Sequence, residues 1–285
     1  MTRPNRVTVF THQHVEETHG AIEQLVDRLT AEGIVVQLPH AECEKHNIPE
    51  REGVVLGVDP DADTDVAAVL GGDGSILTAM RVFAGTPVPV FSFNYGAIGF
   101  LSSVDHDCLE DGIQRLLNGD FEVIGMPALW IEVDGERRFG VNDISFHRKP
   151  DGRVAELEYS VKGEELGKVR CDGLVVATPV GSTGYNLANG GPVLAWGVQG
   201  FVVSFIAPHT LTARALVVAP DDALTVLNLS ERDDVGVTTD GRPVMTLGPG
   251  EQTSVFFAQE QVLLAQIPGS TFYHRFRDKF GRLAY

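Results

Sequence analysis

The chain has 285 residues, 43% of them apolar, with 39 acidic against 22 basic side chains and a formal charge of −17. That length holds a full core and favours two domains over one. So negative a field disfavours nucleic acid and anionic membranes as partners, and no apolar run approaches the roughly 18 residues of a membrane span. The first residues carry no secretory apolar stretch, so a cytoplasmic location is expected.

In chain order, residues 6–10 predict a strand, 19–32 an amphipathic helix ended by Gly33, and 34–38 a second strand. His12 and His14 follow the first strand, in a polar loop or at the edge of a site. Residues 39–64, rich in Pro, Glu and Asp, predict an irregular connection. A strand at 66–70, a glycine turn, a helix at 75–84 and a strand at 87–93 complete an alternation that implies a parallel sheet with helices on its faces. A helix is expected at 107–118. Beyond it, residues 121–266 read as short β segments, with Asp134-Gly135 and Asp240-Gly241 as hairpin turns. Residues 271–283 return to helical spacing, with Phe272, Phe276 and Phe280 on one stripe. The expected organisation is a Rossmann-like α/β domain over 1–105, a β-rich, sandwich-like domain over 106–268 and a terminal helix over 269–285 that packs back.

Cys43, Cys108 and Cys171 have neither zinc nor redox spacing, and the nine histidines contain no His-x-x-x-His pair. The chemistry-bearing signal is Gly71-Gly72-Asp73-Gly74 followed by Ser75, where a strand enters a glycine turn with a helix opening behind it. Such a turn makes an anion cradle: N–H groups point outward at a positive helix end, and glycines supply positive φ and close approach. A carboxylate there repels phosphate unless a proton must be taken or a metal held, which points to phosphoryl transfer.

Asn94-Tyr95-Gly96-Ala97-Ile98-Gly99-Phe100-Leu101 ends the next strand and reaches the same sheet edge, as a tight crossover or a ligand loop. Asn142-Asp143 sets an amide beside a carboxylate in strand-like sequence, matching the needs of ribose hydroxyls or marking an exposed edge. The longest signal runs from Asp172-Gly173 through Thr178-Pro179-Val180-Gly181-Ser182-Thr183-Gly184-Tyr185 to Gly190-Gly191-Pro192. There a buried strand meets a loop of small and hydroxylated residues closed by an aromatic ring.

In order and spacing these segments, with Pro208–Arg214 and Asp240-Gly241, resemble the NAD kinase family from about residue 66 onward. The Gly-Gly-Asp-Gly turn is shared with lipid kinases and phosphofructokinases; Asn142-Asp143 together with the Gly-Ser-Thr-x-Tyr loop is more specific. The resemblance implies ATP-dependent phosphorylation of the 2′-hydroxyl of the adenosine ribose of NAD. It makes Asp73 the general base or orienting acceptor, with Gly71, Gly72, Gly74 and Ser75 as the phosphate loop. It gives Asn142 and Asp143 to the ribose and Thr183, Gly184, Tyr185, Asn186, Leu187 and Ala188 to the adenine side. Arg153, Arg170, Asp172 and Arg242 fall at dinucleotide-contacting positions, some of them from a neighbouring subunit. It also implies Mg²⁺ with ATP, no metal site built from protein ligands alone, and a homodimer or homotetramer. Gly184 replaces the usual alanine, Val180 the usual threonine, and Arg242 the glutamine of many members. The alternatives are a catalytically weak NAD(H)-binding regulatory paralogue and a lipid or diacylglycerol kinase sharing the turn.

Overall fold

The computed structural model describes residues 3–61, 63–96 and 99–281. The chain forms two compact units, residues 1–125 with 262–285, and residues 126–261.

The first unit contains β1 (Arg6–Thr11), α1 (Val15–Ala31), β2 (Val35–Pro39), α2 (His40–His46), β3 (Val54–Val58), β4 (Val66–Gly71), α3 (Asp73–Val82), β5 (Pro89–Asn94), β6 (Val104–Asp105) and α4 (Leu109–Asn118). Its sheet has the order β3-β2-β1-β4-β5 with every neighbour parallel. All six residues of β4 are buried, as expected of a strand covered on both faces. Helix α1 buries Ala21, Ile22, Leu25, Val26 and Leu29, a helical stripe that joins Val7, Val9, Val36 and Leu70 in one core.

The irregular connection expected over 39–64 instead contains α2 and β3. Pro39 supplies the extended N-cap of α2, and the helix buries two polar residues, Glu42 and His46. Strand β3 lies at the sheet edge and is mostly half-exposed. Helix α2 therefore carries no apolar pattern, whereas β3 is a short apolar run, Val54-Val55-Leu56-Gly57-Val58, inside a polar stretch. Helix α4, which sequence assigns beyond the first domain, buries Ile113, Leu116 and Leu117 in the first core, so the compact unit extends past residue 105 to 125.

The remaining elements are β7 (Glu122–Val133), β8 (Glu136–Gly140), β9 (Asp143–Arg148), β10 (Ala155–Val161), β11 (Glu164–Cys171), β12 (Gly173–Ala177), α5 (Tyr185–Ala188), β13 (Phe201–Ile206), β14 (Leu216–Val218), β15 (Leu224–Asn228), β16 (Val235–Thr239), β17 (Arg242–Leu247), β18 (Gln252–Gln266) and α6 (Phe272–Phe280). In the second unit an antiparallel sheet runs β14-β13-β12-β9-β16-β17. A second antiparallel layer runs β11-β10-β15 and the first residues of β18. Ile144, Phe146, Leu174, Val176 and Val203 of one layer meet Leu157, Val169, Leu224, Val226 and Val255 of the other, a sandwich core. The turns at Asp134-Gly135 (φ 54° and 79°) and Asp240-Gly241 (φ 45° and 74°) have positive φ at both residues, as a two-residue hairpin requires.

The end of β18 belongs to the first unit, where Leu263 and Leu264 pair in parallel with Pro89 and Val90. Helix α6 follows, N-capped by Thr271, whose hydroxyl accepts the His274 N–H at 3.2 Å. The last part of the helix expected over 271–283 lies outside the described residues. The aromatic stripe is real: Phe272 stacks on Phe276, Phe276 meets Phe280 in a tilted contact, and Phe272 and Phe280 both pack edge-on with Phe100. Among the described residues no helix is long and apolar enough to cross a membrane.

Candidate functional site

In the first unit, β4 ends at Gly71 and Gly72 is the N-cap of α3, so the helix opens at Asp73, two residues before the expected start. The turn does not use positive φ; Gly72 is extended, at φ −88° and ψ −175°. What the first glycines provide is close approach. A Cβ on Gly71 would fall 2.6 Å from Ser75 Oγ, and one on Gly96 2.6 Å from the Gly72 Cα, so two main chains lie in contact there. The Tyr95 N–H donates to the Gly71 carbonyl at 3.1 Å, lacing the two loops together. Gly74 differs: it is exposed, and a Cβ there would meet nothing within 4 Å. Gly72 offers no side-chain cap, and the Ser75 N–H donates to its carbonyl at 3.0 Å, which leaves the N–H groups of Asp73 and Gly74 at the helix end without an intrahelical acceptor.

Asp73 is held from the opposite loop. Its Oδ2 accepts the Phe100 N–H and its Oδ1 the Leu101 N–H, each at 3.0 Å. A carboxylate oxygen has about two acceptor sites, so each retains one for a further donor. Asn94 shapes that loop, with its Oδ1 accepting the Gly96 N–H at 3.1 Å. Gly99 needs its freedom, at φ +61°, with a Cβ that would sit 2.3 Å from Asn94 Nδ2. Ala97 and Ile98 of the same segment lie outside the described residues.

In the second unit, the Asn142-Asp143 pair stands where β8 gives way to β9, and Asp240 organises it. The Asp240 carboxylate accepts the N–H groups of Val141 (3.1 Å), Asn142 (2.7 Å) and Asp143 (3.2 Å), while its own N–H donates to the Asp143 carbonyl at 2.9 Å. Asn142 Oδ1 is shielded from solvent without a hydrogen-bond partner, an acceptor that a hydroxyl would satisfy. The Asp143 side chain is only 7% exposed, and burial, with the Asp240 charge, pushes its carboxyl up to about 7. A carboxyl tuned to neutrality is a mark of functional sites.

Tyr185, 38% exposed, lies parallel to the His147 ring at 5.8 Å, and His147 Nε2 is 2.8 Å from Ser145 Oγ. Burial lowers the pKa of His147, which favours its neutral form. Asp172 is gripped by Arg148, whose Nε donates to Oδ1 at 2.7 Å and whose N–H donates to the Asp172 carbonyl at 3.0 Å. Arg153, Arg170 and Arg242 are exposed, in the link after β9, on β11 and at the start of β17. Among the described residues neither Arg153 nor Arg170 bonds Asn142, Asp143 or Tyr185.

The loop after β12 is tied to the pair by its main chain. Thr178 donates from Oγ1 to the Val141 carbonyl (2.6 Å) and from N to the Asn142 carbonyl (2.9 Å). Gly181 passes so close that a Cβ would be 2.0 Å from the Asn142 carbonyl oxygen. Gly181→Ala is therefore expected to cost about 3 kcal/mol in chemical denaturation. Gly184→Ala, whose Cβ would meet only the Gly181 carbonyl at 3.4 Å, is expected to stay within about 0.5 kcal/mol of the parent.

Thr183 and Leu187 are half-buried, and Gly184 and Ala188 exposed, along one short stretch. Asn186, expected on the adenine side, keeps a side-chain Oδ1 that is shielded from solvent without a hydrogen-bond partner. It is fully buried, and its Nδ2 donates to the carbonyls of Ser182 (2.9 Å) and Pro192 (3.0 Å), so it braces the loop. Asp240 and His147 are not among the site residues that the sequence singles out; Asp240-Gly241 reads there as a hairpin turn and as a family segment, without a role at the Asn142-Asp143 pair. Among the described residues no group of three His, Cys, Asp or Glu side chains could hold a metal ion.

Residues 3–121 match the ATP-NAD kinase N-terminal domain and residues 141–267 the ATP-NAD kinase C-terminal domain. The NAD kinase of Gemmatimonas aurantiaca is 37% identical over 229 residues, covering 78% of each chain. That of Geobacter sulfurreducens is 30% identical over 279 residues, covering 96% of this chain and 97% of the relative. Among solved structures, yeast NADH kinase complexed with NADH superposes with a TM-score of 0.83 at 23% identity, covering 100% of this chain and 91% of that one. An NAD kinase from Archaeoglobus fulgidus in complex with ATP gives 0.73 at 23% identity, covering 97% of each. These two likenesses concern the fold. On its two matched domains and its full-length relatives, the chain belongs to the NAD kinase family.

Proposed function

We propose that Asp73 is the group through which this family member carries out its reaction, ATP-dependent phosphorylation of the adenosine-ribose 2′-hydroxyl of NAD to give NADP. The hydroxyl oxygen forms a bond to the γ-phosphorus in line with the breaking bond to the bridging oxygen. ADP leaves with that electron pair, and the hydroxyl proton passes to Asp73. An aspartate is a weak base, so the transfer comes late, once the attacking oxygen has begun to bond to phosphorus. Positioning and charge neutralisation supply most of the acceleration. The observation that carries this reading is the Asp73 carboxylate, fixed by the Phe100 and Leu101 amides with an acceptor site still open on each oxygen.

The exposed, unobstructed face at Gly74 and the first-turn amides of α3 receive phosphate oxygens. Asn142, through its unpartnered Oδ1, and Asp143 hold ribose hydroxyls, and Thr183, Gly184, Tyr185, Asn186, Leu187 and Ala188 border the adenine. Asp172, set by Arg148, orients a further polar group of the dinucleotide. The exposed Arg153, Arg170 and Arg242 serve dinucleotide contacts in a homo-oligomer, where a neighbouring subunit brings its ligand to them.

Mg²⁺ belongs to the substrate, entering on the ATP phosphates and offsetting their charge beside Asp73. EDTA is accordingly expected to stop NADP formation, and excess Mg²⁺ to restore it. The melting temperature of the ligand-free protein should not change in either case. Turnover that persists in EDTA removes the MgATP assignment. The same assay with polyphosphate in place of ATP, and NADH in place of NAD, reads donor and acceptor preference.

A further inference from the structure

Arg275 lies on α6, 173 and 175 residues in sequence from the carbonyls it binds, and it is 8% exposed. Its Nη1 donates to the carbonyls of Phe100 (3.0 Å) and Ser102 (2.5 Å), and its Nε to Ser270 Oγ (3.1 Å). The buried Gln266 amide, oriented with its oxygen toward the guanidinium, accepts from Nη2 at 3.2 Å. The Phe100 carbonyl belongs to the same peptide group as the Leu101 N–H that binds Asp73, and the Ser102 carbonyl follows two peptide groups later. The guanidinium thus grips the outer side of the segment that grips the carboxylate on the inner side. The Phe100 ring is fixed by the same helix, edge-on to Phe272 at 5.9 Å and against Phe280 at 6.1 Å.

From this chain of contacts we infer that Arg275 is a positioning residue for the reaction, holding the Phe100–Ser102 segment so that its amides aim Asp73 at the hydroxyl. Burial alone pushes the Arg275 guanidinium down, while the charges of Asp73 and Asp105 pull it up, so the cation is coupled to the carboxylate it positions. A planar fork with several donors can bridge two carbonyls and a hydroxyl at once; a lysine ammonium at that depth cannot reproduce the fork. A cavity of about 210 Å³, lined by Gly99, Ser102, Asp105, Ser270 and Arg275 among others, adjoins the brace. The segment therefore has room to shift when the guanidinium is removed. The helix that carries Arg275 thereby acts on the reacting corner without touching substrate.

The inference rests on Asp73 being the proton acceptor, and the test separates the two. The full-length protein is compared with Arg275→Met, Arg275→Lys, Asp73→Asn and the Arg275→Met/Asp73→Asn pair, all first checked for folding by circular dichroism. A misplacement of about 1 Å at a reacting group costs up to about 100-fold, so Arg275→Met is expected to lose about 10- to 100-fold in kcat. KM for NAD and ATP should stay within about twofold, since the brace touches neither substrate. Arg275→Lys should recover part of the loss, and it carries the test alone if the Met variant does not fold. In the Asp73→Asn background the Met substitution should add little, because the two act through one interaction. A folded Arg275→Met protein with wild-type kcat overturns the inference while leaving Asp73 in its role, as does full additivity in the pair. Wild-type turnover in Asp73→Asn overturns both, since the brace then positions nothing.

Discussion

Asp73→Asn is expected to lose about 10²- to 10⁴-fold in kcat while keeping its fold and its affinity for NAD, the range a positioned general base contributes. The substitution is nearly isosteric, so the phosphate loop and the first turn of α3 keep their shape. Its structural cost is specific. An aspartate accepts from Phe100 and Leu101 on two oxygens, whereas an asparagine presents one oxygen and one NH₂ group. One of those two amides then faces a donor, which costs about 1–3 kcal/mol of a stability that is typically about 5–15 kcal/mol. Thermal unfolding should register that loss, and calorimetric titration with NAD should give a binding constant close to that of the parent. Near-wild-type turnover removes the base role. Lost NAD affinity with unchanged kcat makes Asp73 a binding group.

Asp143→Asn has the second large effect, and it runs in opposite directions for stability and function. The Asp143 carboxyl stands at about 7 in the folded chain, against 3.8 for an unperturbed aspartate, because of burial first and the Asp240 charge second. The folded state therefore holds its proton more tightly than the unfolded state. Its contribution is fully favourable below about pH 4, declines as pH rises, and is lost above about pH 7. About three pKa units correspond to roughly 4 kcal/mol at the order-of-magnitude level. Asparagine removes that slope. The variant should melt several degrees above the parent at pH 8, and the difference should shrink toward pH 4–5. Its NAD affinity should fall by about 10- to 100-fold, the worth of a hydrogen bond to a charged group. Wild-type affinity should strengthen as pH rises through about 7 and the carboxylate forms, whereas the asparagine variant stays flat. A variant no more stable at pH 8, with unchanged affinity, contradicts the burial-tuned carboxylate.

Much of this was legible in the sequence because the signals are local. The buried run at 66–71, the amphipathic face of α1 and the two Asp-Gly turns each declare themselves within a dozen residues. Gly71-Gly72-Asp73-Gly74 stands between a strand and a helix as the sequence predicts, but its first glycines serve contact between main chains, not positive φ. What escaped was non-local, or was a short element set in a polar stretch. Helix α2 hides behind Pro39 and buries Glu42 and His46, and β3 is a half-exposed edge. Asp240 reaches Asn142 across 98 positions and Arg275 reaches Phe100 across 175, distances at which no periodicity carries information. Asn186 reads as one polar residue of a glycine-rich loop; its burial, with Nδ2 on two carbonyls of that loop and Oδ1 left without a partner, is set by contacts that the sequence pattern does not show.

These assignments converge on one reaction at one hydroxyl, and product identity tests that claim most directly. Purified protein is incubated with NAD, ATP and Mg²⁺, NADP is quantified with an NADP-specific dehydrogenase, and ADP release is measured in parallel. The account predicts NADP and ADP in equal amounts, with the new phosphate on the 2′-oxygen of the adenosine ribose. ADP release without NADP, or a phosphate on any other hydroxyl, contradicts it.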